Sequence, residues 1–200
     1  MPAGSTLELT ANAPATDGVV EWQVVTFDGA TVQTGDLPYT ASNSTVSTTM
    51  TAVDQAATWL VFSYDVATVA VDAFPQKLFR GRFSNAATPW FQREGNGSAG
   101  TLSWFAVSFT NGTTVTAGLS SLINANLTAN PYVISTAGHS IATVGGPYFR
   151  SSQTNVGGST NIGACMVTST LASPALTLTR ATAGVGGANC YLSWYVTEFK

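Results

Sequence analysis

The sequence predicts an all-β chain: two tandem antiparallel β-sandwich domains from an internal duplication, plus an extra β-hairpin at the N-terminus. Three observations carry this reading. Charged residues make up only 8% of the 200 residues, roughly a third of the usual globular share of about 25%, and Thr, Ser, Ala and Gly fill the gap. Runs such as TWLVFSY at 58–64, KLFRGRF at 77–83, ALTLTR at 175–180 and YLSWYVTEF at 191–199 are rich in β-branched and aromatic residues, with Gly, Pro, Asn and Ser around them, which is how strands read. One apolar phrase occurs three times: EWQVVTF at 21–27, LSWFAVSF at 102–109 and LSWYVTEF at 192–199. No stretch shows a capped 3.6-residue apolar period. A hydrophobic share of 44% supplies enough apolar side chains to build a substantial core.

The first element is the N-terminal hairpin, residues 1–27. Its segment STLELTANAPATDGVVEWQVVTF aligns with the last hairpin of the chain, placing Leu9 on Leu178, Trp22 on Trp194 and Phe27 on Phe199. The chain thus carries three terminal hairpins but two upstream halves. An isolated hairpin is marginal in water, so this one either extends a sheet of the first domain or adds to a neighbouring subunit. The first domain follows at 28–109 and the second at 110–200. TVQTG at 31–35 matches TVTAG at 114–118, Trp104 matches Trp194, and Arg93 falls near Arg180. Phe79 to Arg93 spans 14 residues, as does Met166 to Arg180; Phe62 to Phe79 spans 17, as does Phe149 to Met166. Recurrence of Trp22, Trp104 and Trp194 at one repeat position marks core packing. GVGGAN at 184–189 reads as the turn of the closing hairpin.

Charge is unevenly placed. Residues 1–76 hold eight acids and no Lys or Arg, whereas the remainder holds seven bases against two acids, so −8 and +5 combine to the net −3. An acidic end and a basic end favour head-to-tail contacts between copies. In a strand over KLFRGRF, Arg80 and Arg82 line up on one face; with Lys77 they form the basic patch expected to meet the acidic N-terminal half of a neighbour. Three basic residues are few for counterion-release binding, so no nucleic-acid partner is expected.

Chemistry is sparse. The single histidine, His139, sits in the Gly- and Thr-rich stretch ISTAGHSIATVGG, with no G-x-S-x-G elbow to pair with it, so no catalytic residue is assigned. Asp65 and Asp72, seven positions apart, would point to opposite faces of a regular strand. Asp54, Asp65 and Asp72 are conceivable calcium ligands, but no D-x-D-x-D-G loop accompanies them. No phosphate-cradling motif is present, and no cofactor or metal is expected. Cys165 and Cys190 lie on neighbouring strands of the second unit, where the first has Leu78 and Gly100. A bridge between them is geometrically open, while two buried thiols are the default for a cytoplasmic product. MPAGSTLELT lacks the basic and apolar regions of a signal peptide. No 18-residue apolar run exists, so the expectation is cytoplasmic synthesis without membrane insertion.

The closing strands LSWFAVSF and LSWYVTEF, with LTLTR and a turn before the latter, resemble the small repeated β-sandwich modules of bacteriophage virion surface proteins, the decoration, tail and fibre components. A fainter likeness is to H-type lectin domains, which end on an apolar strand carrying Trp; none of that family's sugar-binding residues can be placed here. The virion resemblance implies a non-enzymatic, oligomeric structural role, with self-association as a trimer, other virion proteins as partners, and the virion as its location. Assembly would then engage Leu9, Trp22, Phe27, Lys77, Arg80 and Arg82. The alternative is a carbohydrate-binding adhesin or receptor-binding module, for which Trp59, Tyr64, Trp90, Tyr132 and Tyr148 are the candidate contacts with a host surface glycan.

Overall fold

The computed structural model describes residues 26–65, 77–94, 98–123, 127–133, 139–150, 165, 167–172, 175–180 and 189–200. Within them the chain is all β. The strands are β1 (Ala30–Tyr39), β2 (Thr45–Ser47), β3 (Thr58–Tyr64), β4 (Arg80–Asn85), β5 (Thr88–Gln92) and β6 (Gly100–Phe109), then β7 (Thr114–Leu122), β8 (Thr128–Val133), β9 (Ser140–Arg150), β10 (Val167–Ala172), β11 (Ala175–Arg180) and β12 (Asn189–Glu198). A 3-10 turn, Gln55–Ala57, lies between β2 and β3, capped by the Asp54 carboxylate accepting from the Ala56 amide.

Among the described residues all pairings are antiparallel and form four three-stranded sheets. Their orders are β1-β6-β3 and β2-β5-β4, then β7-β12-β9 and β8-β11-β10. Adding six to each strand number of the first pair gives the second pair, so β1–β6 and β7–β12 are two sandwich-like halves of one topology. In each, the last strand of the half occupies the middle of its sheet.

The cores follow from strand alternation. In β11 the pattern buries Leu176, Leu178 and Arg180 and leaves the residues between them half-exposed. Leu60, Phe79, Phe91, Leu102 and Trp104 fill the first half; Leu176, Leu178, Leu192, Trp194 and Val196 fill the second. Each such side chain contributes roughly 1.5–3 kcal/mol by leaving water. The repeated tryptophan owes its place to a repeated glycine. Gly35 lies opposite Trp104 and Gly118 opposite Trp194, and a Cβ on either would stand 3.1 Å or 2.2 Å from the indole. The indole therefore lies flat over a strand that offers no side chain to hold it away.

The repeated arginine is buried in both halves. Arg93 donates from Nη1 to the Ser98 carbonyl at 2.7 Å, from Nε to Asn43 at 2.8 Å and from Nη2 to Thr40 at 2.8 Å. Arg180 donates from Nη1 to the Leu122 carbonyl at 3.2 Å. Their amides also match: Arg93 donates to Ser44 and Arg180 to Leu127, both at 2.9 Å. The Arg93 guanidinium ties the loop between β1 and β2 to the end of β5, and the Arg180 guanidinium ties the end of β7 to the end of β11, which satisfies carbonyls that sheet pairing cannot reach. Burial lowers the pKa of both arginines from their ordinary value.

Three readings of the sequence need correction. Phe149 is not the counterpart of Phe62: Phe62 faces Trp104, whereas the residue facing Trp194 is Val144. The strand β9 runs 11 residues and bulges opposite Ser193, so equal spacing concealed a shift. The match of Phe79 with Met166 slips by one in the pairing, because Arg80 faces Gln92 while Val167 faces Arg180. The cysteines are not free thiols: Cys165 and Cys190 form a disulfide with a Cα–Cα distance of 5.3 Å. At the same corner of the first half stands Gly100, boxed in by Asp65 and the Tyr39 hydroxyl, which donates to the Asp65 carbonyl.

Candidate assembly interface

The residues with the strongest contrast between the halves are on the outer faces of the two long sheets. In β12 the even-numbered residues Cys190, Leu192, Trp194 and Val196 face their own core, yet Ser193, Tyr195 and Thr197 on the other face are buried as well. What covers them is the first half. Tyr195 belongs to the first half's core cluster with Leu60, Phe79 and Phe91, and Val115 of β7 joins it there. Trp59 Nε1 donates to Thr143 Oγ1 at 2.9 Å. The bulge glycines make the approach close: a Cβ on Gly146 would overlap the Phe79 carbonyl at 1.9 Å, and one on Gly145 would meet the Gly81 carbonyl at 3.3 Å. The outer face of β7-β12-β9 thus lies across the open side of the first sandwich, between its edge strands β3 and β4.

Among the described residues, clefts lie along this junction. One, of about 310 Å³, is walled by Trp59, Phe62 and Tyr64 on one side and by Thr143, Val144 and Gly145 on the other. The second, about 230 Å³, lies between Gln55, Arg82 and Phe83 of the first half and Ala117, Leu119 and Tyr195 of the second. Inside it Arg82 Nε and the Tyr195 hydroxyl are both buried without a hydrogen-bond partner among the described residues. Burial raises the Tyr195 pKa well above the ordinary phenol value, and the Arg82 charge offsets part of the rise.

The predicted site residues take up different places. Leu9 and Trp22 lie outside the described residues, as do Asp72 and GVGGA at 184–188. Phe27 is at the junction: it stacks on Phe199 at 5.5 Å between centroids and meets Phe109 and Trp59 edge-on at 5.1 and 6.4 Å. Lys77 precedes β4. Arg80 and Arg82 do share one face of β4, opposite Gln92 and Trp90. Arg80 donates twice to Gln92 Oε1, at 3.1 and 2.6 Å, and Arg82 lies over the Trp90 ring at 4.9 Å.

Of the glycan candidates, Trp59 and Tyr64 both wall the first cleft, and Trp90 and Tyr132 lie away from it. Trp59 and Tyr64 project from opposite faces of β3; the first is in the junction, and the second packs on Phe79 at 5.3 Å. Burial raises the Tyr64 pKa. Trp90 faces outward under Arg82. Tyr132 packs on Trp194 at 5.6 Å and accepts a hydrogen bond from Thr116, and Tyr148 is described by its pairing with Tyr191 on β12. His139 is exposed, and its carbonyl accepts from the Phe199 amide at 2.8 Å. Asp65 accepts from the Thr101 amide.

The sequence matches no family model and has no significant match among curated proteins or solved structures. What the geometry offers for function is therefore the junction itself. Sequence reasoning missed Tyr195, Val115 and Gly145 as interface residues. No pattern in the sequence separated them: β12 carries aromatics on consecutive positions at Trp194 and Tyr195, but so does β6 at Trp104 and Phe105.

Proposed function

We propose that this chain is a non-enzymatic structural component of a bacteriophage virion, a capsid decoration or a tail or fibre protein, that works by assembling through its β-surfaces. The observation that carries the reading is the way one half receives the other. A sheet face of one sandwich closes the open side of another, burying a tyrosine in the recipient's core. A module that joins to a copy of itself in this manner is suited to building larger arrays from repeated units. The likeness of the closing strands to virion β-modules points the same way, as does the separation of acidic and basic residues along the chain.

The test is the absolute mass of the purified chain by light scattering over a range of concentrations, followed by immunogold labelling of phage particles with an antibody to the chain. A stable trimer or larger species, and label at a fixed position on the particle, are the expected results. A chain that stays monomeric at every concentration and labels no particle would overturn the reading.

A further inference from the structure

The exposed face of the first half is the repeat-equivalent of the buried face of the second. Matching Trp104 with Trp194 pairs Phe105 with Tyr195, and matching TVQTG with TVTAG pairs Val32 with Val115. Phe105 is 41% exposed against 1% for Tyr195, and Val32 is 55% exposed against 4% for Val115. Both pairs occupy the outer face of the same sheet at the same register: Phe105 is flanked by Thr34 on β1 and Val61 on β3, and Val32 faces Val107.

The second half has a topological counterpart of the receiving side. In the first half the receiving side is formed by edge strands β3 and β4; in the second the corresponding edges are β9 and β10. Among the described residues the backbone of β10 pairs only with β11, and its Ser169 hydroxyl donates to the Ala142 carbonyl of β9 at 3.5 Å. Its sequence VTSTLA carries no lysine, proline or other device that keeps an edge from pairing. Counting charges over 28–109 and 110–200 gives −2 and +2, and Asp36 is exposed on the Phe105 face, accepting from Ser103 at 2.6 Å.

We propose that this face, centred on Phe105 and Val32, docks on the β9-β10 side of the second half of another copy of the same chain, continuing between molecules the face-to-edge junction that exists within one. The proposal rests on the assembly reading above and names its partner and polarity. The contact is heterologous, so copies join head to tail into a closed ring or an open filament.

Two variants of the full chain test it. Phe105→Glu, at an exposed position, leaves the far-ultraviolet circular dichroism spectrum unchanged and reduces the mass in light scattering to that of one chain. Val32→Cys combined with Thr170→Cys gives intermolecular cross-links under oxidation, and neither single variant does. An oligomer that survives Phe105→Glu without cross-linking in the double variant overturns this surface while leaving assembly by another route intact. Cross-linking of Val32→Cys alone means face-to-face pairing and also overturns it. A wild-type monomer overturns both this proposal and the assembly reading, and protection of Phe105 in that monomer would identify the chain's own N-terminal segment as the occupant.

Discussion

At the scale of single residues the repeat is a set of paired requirements. A tryptophan needs its glycine across the strand, and the tolerance differs between the halves. Gly118→Ala would place a methyl 2.2 Å from the Trp194 ring, whereas Gly35→Ala meets Trp104 at 3.1 Å. Overpacking typically costs about 1–3 kcal/mol, so in urea titrations Gly118→Ala should fall near the top of that range and Gly35→Ala near or below its foot. Tyr195 gives a second prediction. Its folded-state pKa is raised by burial, whereas an unfolded tyrosine ionises near pH 10. The folded state therefore holds protons that the unfolded state releases, so stability is fully present below about pH 10 and declines as the pH rises beyond it. Tyr39 and Tyr64, also raised by burial, add to the decline, and Tyr195→Phe should make it shallower. Because the hydroxyl has no partner among the described residues, Tyr195→Phe should also be neutral or slightly stabilising at pH 7, which chemical denaturation would measure. The tryptophans were legible as core from their recurrence. The arginines were legible only as a match, because their work is done on loop carbonyls that no side-chain pattern reveals.

Elements were more legible than their pairing. The strands β1, β3, β6, β7, β11 and β12 all coincide with apolar or β-branched runs. The three-residue β2 (Thr45–Ser47) has too few residues to show an alternation. Register failed where β9 bulges, since a bulge adds a residue without changing the composition around it. The corner beside the central strand is secured differently in each half: by the Tyr39–Asp65 hydrogen bond at Gly100 in the first, and by the Cys165–Cys190 bridge in the second. Two cysteines 25 residues apart close a loop worth about 3.5 kcal/mol in the chain-entropy account. Reduction, or Cys165→Ala with Cys190→Ala, should lower the midpoint of denaturant unfolding accordingly, and hydrogen exchange should accelerate first in β11 and β12. Equal protection with and without reductant would show that the bridge adds nothing to the folded second half.

For the whole molecule, the shared core makes the two halves one thermodynamic unit. Tyr195 and Val115 are counted among the apolar neighbours of Phe79 and Phe91, so neither sandwich can open without exposing part of the other. Calorimetry of the intact chain should show a single transition. Tyr195→Ala removes the residue that joins the cores; it should cost about 3–5 kcal/mol, the range for deleting a buried aromatic side chain, and split the transition in two. The duplication was visible in the sequence and so was the all-β class, but the junction was not, because it depends on which outer face is covered rather than on which strands exist. The strand order has one further consequence, for biosynthesis. β12 is both the central strand of its sheet and the carrier of Tyr195, and it is translated after β1 to β11. A ribosome-bound nascent chain ending before residue 189 would hold β7 and β9 with no strand between them and a first sandwich still open on one side. Emergence of β12, rather than completion of the first sandwich, is then the event that commits both halves to their native state, and until then their open strand edges are exposed to aggregation.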